Sequence, residues 1–363
     1  MRRFHYNTKR FLTVIILCFS LLLNGCGNNS SKENVNPDYY YSQLNDFDKL
    51  LYDYYLEQYE HTNEDGYTTT FTISFEKYAD FCNDKDFVQY CLYYDHPEYY
   101  QHENNLDWTI DTKIENTDDG YKVTLSQTIN LPNYEEEQKE IAAAAEKYLS
   151  DIDLDDKEYN IALKIHDKLI EDFNYVGGDN MDVDNIRYSQ TIYGILVGKN
   201  GEKTGVCEAK ADTYIYLLKK AGILCAPVLG GNGNAESFNE AYEYACSHEG
   251  RHEWVIAFLD GKWYEIAPTW DSFDENKYPD PYKTAMIEDE AYLNKRHHKF
   301  WAKTTEEMKC VQRYYFNYDG QDYSYEPVYT AYVRATDENW YGKDEEKNMN
   351  RFIRAAELTP IAE

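Results

Sequence analysis

The sequence predicts an α+β fold in which a cysteine-bearing helix packs on an antiparallel hairpin, and three observations carry that prediction. Within residues 204–270, Cys207, Ala211, Tyr214, Ile215, Leu218 and Ala221 recur at helical spacing until Gly222 stops the pattern. Further on, His252, Trp254, Ile256 and Phe258 alternate with Glu253, Val255 and Ala257, and residues 262–266 return as a second strand after the turn pair Asp260-Gly261. Helical and strand-like segments also mix ahead of this stretch, over residues 38–133, and read as a small α+β unit.

The helix places its thiol in a chemically special position. In a first helical turn, unpaired backbone N–H groups and the macrodipole favour an anion, so the Cys207 pKa is expected to fall toward neutrality. Taken alone, a cysteine on an apolar face reads as packing. The hairpin changes that reading. His252 opens a strand on the face that carries the large apolar residues, and would point at whatever packs there. If the Cys207 helix packs on that face, thiol and imidazole meet. The imidazole then takes the thiol proton and later delivers it to a leaving amine.

At this point the residues match a family. Gly205-Val206-Cys207, Ala221-Gly222-Ile223, the His252-x-Trp254 pair, Asp260-Gly261-Lys262-Trp263-Tyr264 and Pro268-Thr269-Trp270-Asp271 together resemble the bacterial transglutaminase-like superfamily. Order and spacing agree across about 65 residues, with fainter similarity through Ile165-His166-Asp167 and Thr191-Ile192-Tyr193-Gly194. The resemblance implies a papain-like fold and a Cys-His-Asp triad, with Cys207 as nucleophile and His252 as base. Three features depart from the family pattern. Ala209 and Lys210 stand where a glycine and an aromatic are usual, about four extra residues near 200–203 lengthen the loop before Cys207, and Ala267 occupies the place of the triad aspartate. A two-residue turn at Asp260-Gly261 pairs Leu259 with Lys262 and sets Thr269 opposite His252. Asp271 is then the expected substitute orienter, with the Thr269 hydroxyl a weaker one. Glu265 falls opposite Ile256, roughly 13 Å along the strand from His252, and is a poor surrogate.

The start of the chain reads as an export signal. Arg2, Arg3, Lys9 and Arg10 precede an apolar run over 11–23 that is too short to span a bilayer. Leu23-Asn24-Gly25-Cys26 resembles the lipobox of bacterial lipoproteins, which implies that Cys26 is lipidated and becomes the mature N-terminus. The mature protein is therefore expected on the outer face of the cytoplasmic membrane, held by its lipid. The expected organisation is a signal peptide at 1–25, a lipid-anchored polar linker at 26–37, the accessory unit at 38–133, the core at 134–300, and C-terminal strands and helix at 301–363 packing on the core.

Composition narrows the partners. Sixty-six acidic against 36 basic residues give a net charge of −30, a surface that repels nucleic acid and anionic headgroups. The 38 tyrosines, clustered at Tyr39-Tyr40-Tyr41 and Tyr99-Tyr100, suit either a sugar-stacking or partner surface or an apolar core with wet tips.

In chain order, helices are expected over 44–58, 78–93, 134–149 and 157–173, and strands over 67–75, 108–114 and 121–129, the last two joined through Asp118-Asp119-Gly120. Residues 94–99 resemble a motif that precedes the transglutaminase-like core in bacterial lipoproteins, and His96 between Asp95 and Glu98 reads as a capped turn rather than a metal site. Residues 179–187 read as a polar loop, 314–334 as strands and 348–358 as a closing helix. His297-His298, amid Lys295, Arg296 and Lys299, is a poor metal pair, because sequence neighbours on a helix rarely face one ion. No metal and no cofactor is expected. Cys18 leaves with the signal and Cys26 carries lipid; with Cys207 free, Cys82, Cys91, Cys225, Cys246 and Cys310 are an odd set, in which Cys82 and Cys91 remain an open pairing.

Two functions follow. One is an exported cysteine enzyme acting on amide bonds of protein or peptide substrates, cell-wall peptides included, by acyl transfer to water or to an amine. The other is a non-catalytic surface binding module that kept the fold and lost the triad aspartate.

Overall fold

A computed structural model describes residues 38–61, 66–99, 108–129, 134–172, 174–175, 188–272, 297–317, 324–343 and 353–363. The signal segment, the linker with Cys26, the 179–187 loop, residues 285–296 and the first part of the closing helix lie outside the described residues.

The chain begins with a short helix α1 (Tyr39–Gln43) and a longer α2 (Asp46–His61), followed by strand β1 (Tyr67–Ser74) and helix α3 (Tyr78–Asp95). Strands β2 (Trp108–Thr117) and β3 (Gly120–Ile129) then form a hairpin around Asp118-Asp119, and the three strands make an antiparallel sheet in the order β1-β3-β2. Two amphipathic helices, α4 (Tyr134–Leu149) and α5 (Glu158–Glu171), lead on to the paired dipeptides β4 (Asn174–Tyr175) and β5 (Thr204–Gly205), with helix α6 (Ile192–Leu196) between them.

Helix α7 (Cys207–Lys220) comes next, then β6 (Cys225–Ala235), helix α8 (Phe238–Cys246), β7 (Arg251–Leu259), β8 (Lys262–Ile266) and the short turn α9 (Pro268–Asp271). After α10 (Thr305–Met308), strands β9 (Val311–Asn317) and β10 (Ser324–Arg334) complete a five-stranded antiparallel sheet in the order β8-β7-β6-β10-β9. The architecture is α+β, as expected. Between Gly230 and His252, β6 continues as far as Ala235, and α8 sits so close that a Cβ at Gly231 or Gly233 would lie under 2 Å from a backbone oxygen of Ala245 or Ala241.

Helix α7 is buried from Ala209 to Leu218 without a break, so it has no solvent face. One side shares an apolar cluster with Val255, Ala257 and Leu259 of β7; the same cluster takes in Ile141, Ile161, Ile165 and Ile195 from α4, α5 and α6. A second cluster joins Tyr40, Tyr52, Phe71 and Leu92 to Val228, Trp254, Ile256 and Tyr332 across the other side of the sheet. Most of the tyrosines described in this region are core material. Cys82 and Cys91 lie in one helix, nine residues and about 13 Å apart at 1.5 Å per residue, which forbids a bridge between them. The six described cysteines are all free.

Segment 94–99 is the capped turn the sequence suggested, with a wider role. The buried Asp95 carboxylate accepts from the backbone N–H groups of Tyr40 (3.1 Å) and Tyr41 (2.9 Å) at the start of α1 and from the Tyr52 hydroxyl (3.0 Å). Lys219, in the last turn of α7, donates to the Asp95 carbonyl oxygen and to the Asp38 carboxylate at 2.8 Å. Burial pushes the Asp95 carboxyl up to about 6, so it is ionised at neutral pH only because these donors face it. Asp95→Ala strands two amides, a hydroxyl and part of the charge on Lys219, and should cost about 3 kcal/mol in urea unfolding at pH 7.

Candidate active site

Cys207 is the first residue of α7, and the chain is shaped to put it there. Gly205 is packed so tightly that an added Cβ would lie 2.6 Å from Ile195 and 3.0 Å from Ala209, and Val206 donates its N–H to the Ser189 carbonyl at 2.8 Å. Gly194 is equally constrained, because a Cβ there would fall 1.4 Å from the Tyr188 carbonyl oxygen. These two glycines explain why the sequence needs no side chain before the cysteine or at the end of Thr191-Ile192-Tyr193-Gly194.

The thiol meets the opening of β7. The backbone amide of Glu253, with those of Glu208 and Cys207 itself, faces the sulfur and favours the thiolate. Such amides also suit the oxygen of a tetrahedral intermediate. Burial nevertheless dominates, and the neighbouring Glu208 carboxyl adds to it, so the Cys207 thiol is pushed up to about 11. The expectation of a thiol near neutrality is corrected: a helix N-terminus does not ionise a cysteine enclosed beside carboxylates. Glu208 and Asp212 each accept from the Tyr93 hydroxyl at 3.2 Å, and Glu253, 7% exposed, is held protonated first by burial and then by the charges of Asp212 and Glu208.

His252 lies next along the strand. Its ring sits 6.2 Å from Trp254 and 5.7 Å from Tyr332, with the second apolar cluster beneath it. The helix was expected on this face; it packs instead against Val255, Ala257 and Leu259 on the alternate face, and the thiol meets the strand near its start, at the backbone amide of Glu253, rather than across a sheet face. Burial alone pushes the imidazole down to about 3. Nε2 is buried with no hydrogen-bond partner, and among the described residues no hydrogen bond joins the ring to the thiol.

The missing partner of Nε2 can be located from the register. The hairpin has the expected two-residue turn, with positive φ at Asp260 and Gly261, Leu259 opposite Lys262 and Ile256 opposite Glu265. The ladder stops at Val255–Ile266, because Pro268 lacks an N–H and starts α9 instead. Thr269 therefore does not pair with His252. The fully buried Ala267, next after Ile266, stands in line opposite Trp254 and diagonal to His252, where its methyl offers Nε2 nothing.

Asp271 is not the substitute. Its Oδ2 lies 3.2 Å from Nε2 of His166 on α5, and its Oδ1 accepts the Phe300 N–H at 2.9 Å. The α9 turn rotates the carboxylate away from β7 and under α7. Glu265 is also committed, to Trp254 Nε1 (2.6 Å), Arg334 (2.7 Å) and Thr305 (2.5 Å). Lys210, where an aromatic is usual, is fully buried and donates to Ser272; burial holds its amine well below the ordinary lysine range. Sequence reasoning missed Glu253 as a neighbour of the thiol, and Tyr93 as the donor to Glu208 and Asp212. The strand alternation already carried the signal for Glu253, since it placed that residue on the face opposite His252 and Trp254.

A cysteine at a helix start, set against a hairpin strand whose second residue is histidine, is the arrangement of the site. Residues 146–268 match the transglutaminase-like superfamily, and this region of the chain is a transglutaminase-like domain. Among solved structures, the chain is similar to a candidate cysteine protease of Cytophaga hutchinsonii, at 15% identity over 47% of this chain and 68% of that one, with a TM-score of 0.25. It is also similar to a candidate protease of Parabacteroides distasonis ATCC 8503, at 12% identity over 43% of this chain and 35% of that one, with a TM-score of 0.23. At these TM-scores the likenesses carry no functional weight. No curated protein matches the chain.

Because alkylation proceeds through the thiolate, Cys207 should react slowly with iodoacetamide at pH 7, with a rate that rises about tenfold per pH unit toward a midpoint near 11. A midpoint below about 8.5, the value of a free thiol, would mean that the amides outweigh burial. Mass spectrometry of the labelled peptide separates Cys207 from the exposed Cys82 and Cys310.

Proposed function

We propose that this protein is an exported, lipid-anchored cysteine enzyme that acts on amide bonds of protein or peptide substrates, cell-wall peptides among them, by acyl transfer. The observation that carries this reading is the cradle of Cys207: a thiol at the start of a buried helix, three backbone amides facing it, one of them from Glu253, and the preceding residue His252 in the neutral, proton-accepting form. As Sγ bonds to the carbonyl carbon, the thiol proton passes to His252 and the amides receive the developing oxyanion. Collapse breaks the C–N bond, and the imidazolium gives its proton to the departing amine. Water or a second amine then takes the acyl group from the thioester.

The resting thiol and imidazole are both uncharged over a wide pH range, so the proton moves during attack rather than before it. Substrate binding must supply the polar surroundings that stabilise the imidazolium. The anchor is proposed at Cys26; among the described residues no helix is long and apolar enough to cross a membrane.

A second reading, a binding module without turnover, is favoured by one observation: Nε2 of His252 has no carboxylate to orient it or to stabilise its positive charge. In the serine-triad template such a loss costs about four orders of magnitude. The readings separate on the baseline of the unmodified protein, measured as peptide hydrolysis and as incorporation of a fluorescent primary amine. The enzyme reading expects turnover that falls at least a thousandfold in Cys207→Ala; no Cys207-dependent turnover leaves the binding module. Ala267→Asp supplies Nε2 with a carboxylate and should raise an existing baseline by about two orders of magnitude. Cys26→Ala should shift the protein from the membrane fraction to the soluble one, which fractionation and blotting will read.

A further inference from the structure

A second cluster of chemistry-bearing side chains lies behind this site, on α5 and on the segment that returns after α9. His166 is completely buried, with Nδ1 3.1 Å from Oδ1 of Asp167. His298, from 131 residues further along the chain, places Nε2 2.7 Å from that same oxygen. One ligand atom from each of the three residues falls within 4.8 Å of the others. Asp271 completes the arrangement by facing the other nitrogen of His166, Nε2, at 3.2 Å.

We propose that His166, Asp167 and His298 form a binding site for a single divalent transition-metal ion of the zinc type, with Asp271 as the carboxylate that orients His166. Two imidazoles and one carboxylate are a donor set that suits zinc over calcium or magnesium, which take oxygen ligands. Around a tetrahedral ion with bonds of 2.0–2.1 Å, neighbouring ligand atoms stand about 3.4 Å apart. The observed 2.7 and 3.1 Å need to open by about 0.7 and 0.3 Å to reach that spacing.

The tautomer is also arranged for it. With Nε2–H given to Asp271, neutral His166 presents the Nδ1 lone pair to the centre of the cluster, the histidine–carboxylate relation that commonly fixes a metal-bound imidazole. Without an ion, one Asp167 oxygen must serve two imidazoles, and His166 needs a proton on each nitrogen to satisfy both of its carboxylates. A metal ion replaces two of those protons. Entry is open, since the side chains of Asp167 and His298 are 42% and 25% exposed. A water or the second Asp167 oxygen fills the fourth position.

The ion would act as a clip. Phe300, two residues after His298, takes the Ala267 N–H on its carbonyl at 3.1 Å and gives its own N–H to Asp271, while Lys303 and Glu265 exchange backbone bonds. Tying His298 to α5 would therefore brace the segment that bonds to Ala267 and Glu265. His297 and His298 looked unpromising as a pair because sequence neighbours on a helix rarely face one ion; His166 and Asp167 are such neighbours on α5, yet their ligand atoms lie 3.1 Å apart, and the fold adds His298 from far away in sequence.

The test uses the full chain carrying Cys207→Ser, to remove that thiol as a competing ligand, after chelator treatment and titration with Zn²⁺. One equivalent should bind and raise the melting temperature. His298→Ala and Asp167→Asn should each weaken binding at least tenfold and abolish that rise, while His297→Ala should bind as the parent does. Co²⁺ in place of Zn²⁺ should give tetrahedral visible bands with no thiolate charge-transfer band. Absence of saturable Zn²⁺ binding below about 100 μM, a level far weaker than protein zinc sites of this kind, overturns the proposal, as does unchanged affinity in His298→Ala. Should either variant fail to fold, the Co²⁺ spectrum of the parent decides: sulfur ligation, or no tetrahedral bands, also overturns it.

Discussion

The rest of the structure depends on the complete enclosure of α7. A helix with no solvent face must be covered by something on every side, and this chain uses the five-stranded sheet, the α4–α6 helices and the N-terminal helices together. Its two ends are fixed by different chemistry. At the C-terminal end Lys219 reaches Asp38 and the Asp95 carbonyl, a cation placed where the helix dipole and two oxygens favour it. At the N-terminal end the thiol of Cys207 meets β7. Residues 38–99 are thereby bound into the same compact unit as the sheet, because Asp95 also caps α1.

The electrostatics of the site follow from that enclosure. Cys207, His252, Glu253 and Lys210 all shift toward their uncharged forms, because burial penalises charge and no opposite charge of comparable strength is supplied. Helix-end amides pull the thiol the other way but are outweighed. This is the balance that argument from sequence position alone gets wrong: a first-turn cysteine is activated when its surroundings are polar or cationic, and here they are apolar and acidic.

Much of the fold was legible because periodicity survives without tertiary information. The α2, α3, α4 and α5 helices, the β2–β3 hairpin and the β7–β8 turn follow directly from apolar spacing and turn residues, and the Leu259–Lys262 register came out as the Asp260-Gly261 pair implied. The places of Cys207 at the start of α7 and of His252 in β7 were legible from the resembling motifs. What could not be read was the choice of sheet face for α7, since both faces of β7 are apolar beyond Glu253. The partners of Asp271 were equally hidden. They depend on Pro268 converting the end of a strand into a helical turn, and on a histidine 105 residues earlier.

The carboxylates around the two histidines show how this chain differs from a triad. The buried imidazole of His166 has a carboxylate at each nitrogen; the half-buried His252 has none at its buried Nε2. Leaving a buried ring nitrogen unpaired costs about 1–3 kcal/mol, and an apolar residue at 252 packed against Trp254 and Tyr332 would avoid that cost. Nothing in the packing of the second apolar cluster calls for an imidazole there. An imidazole at 252 in place of leucine or phenylalanine is what the proposed chemical role would ask for.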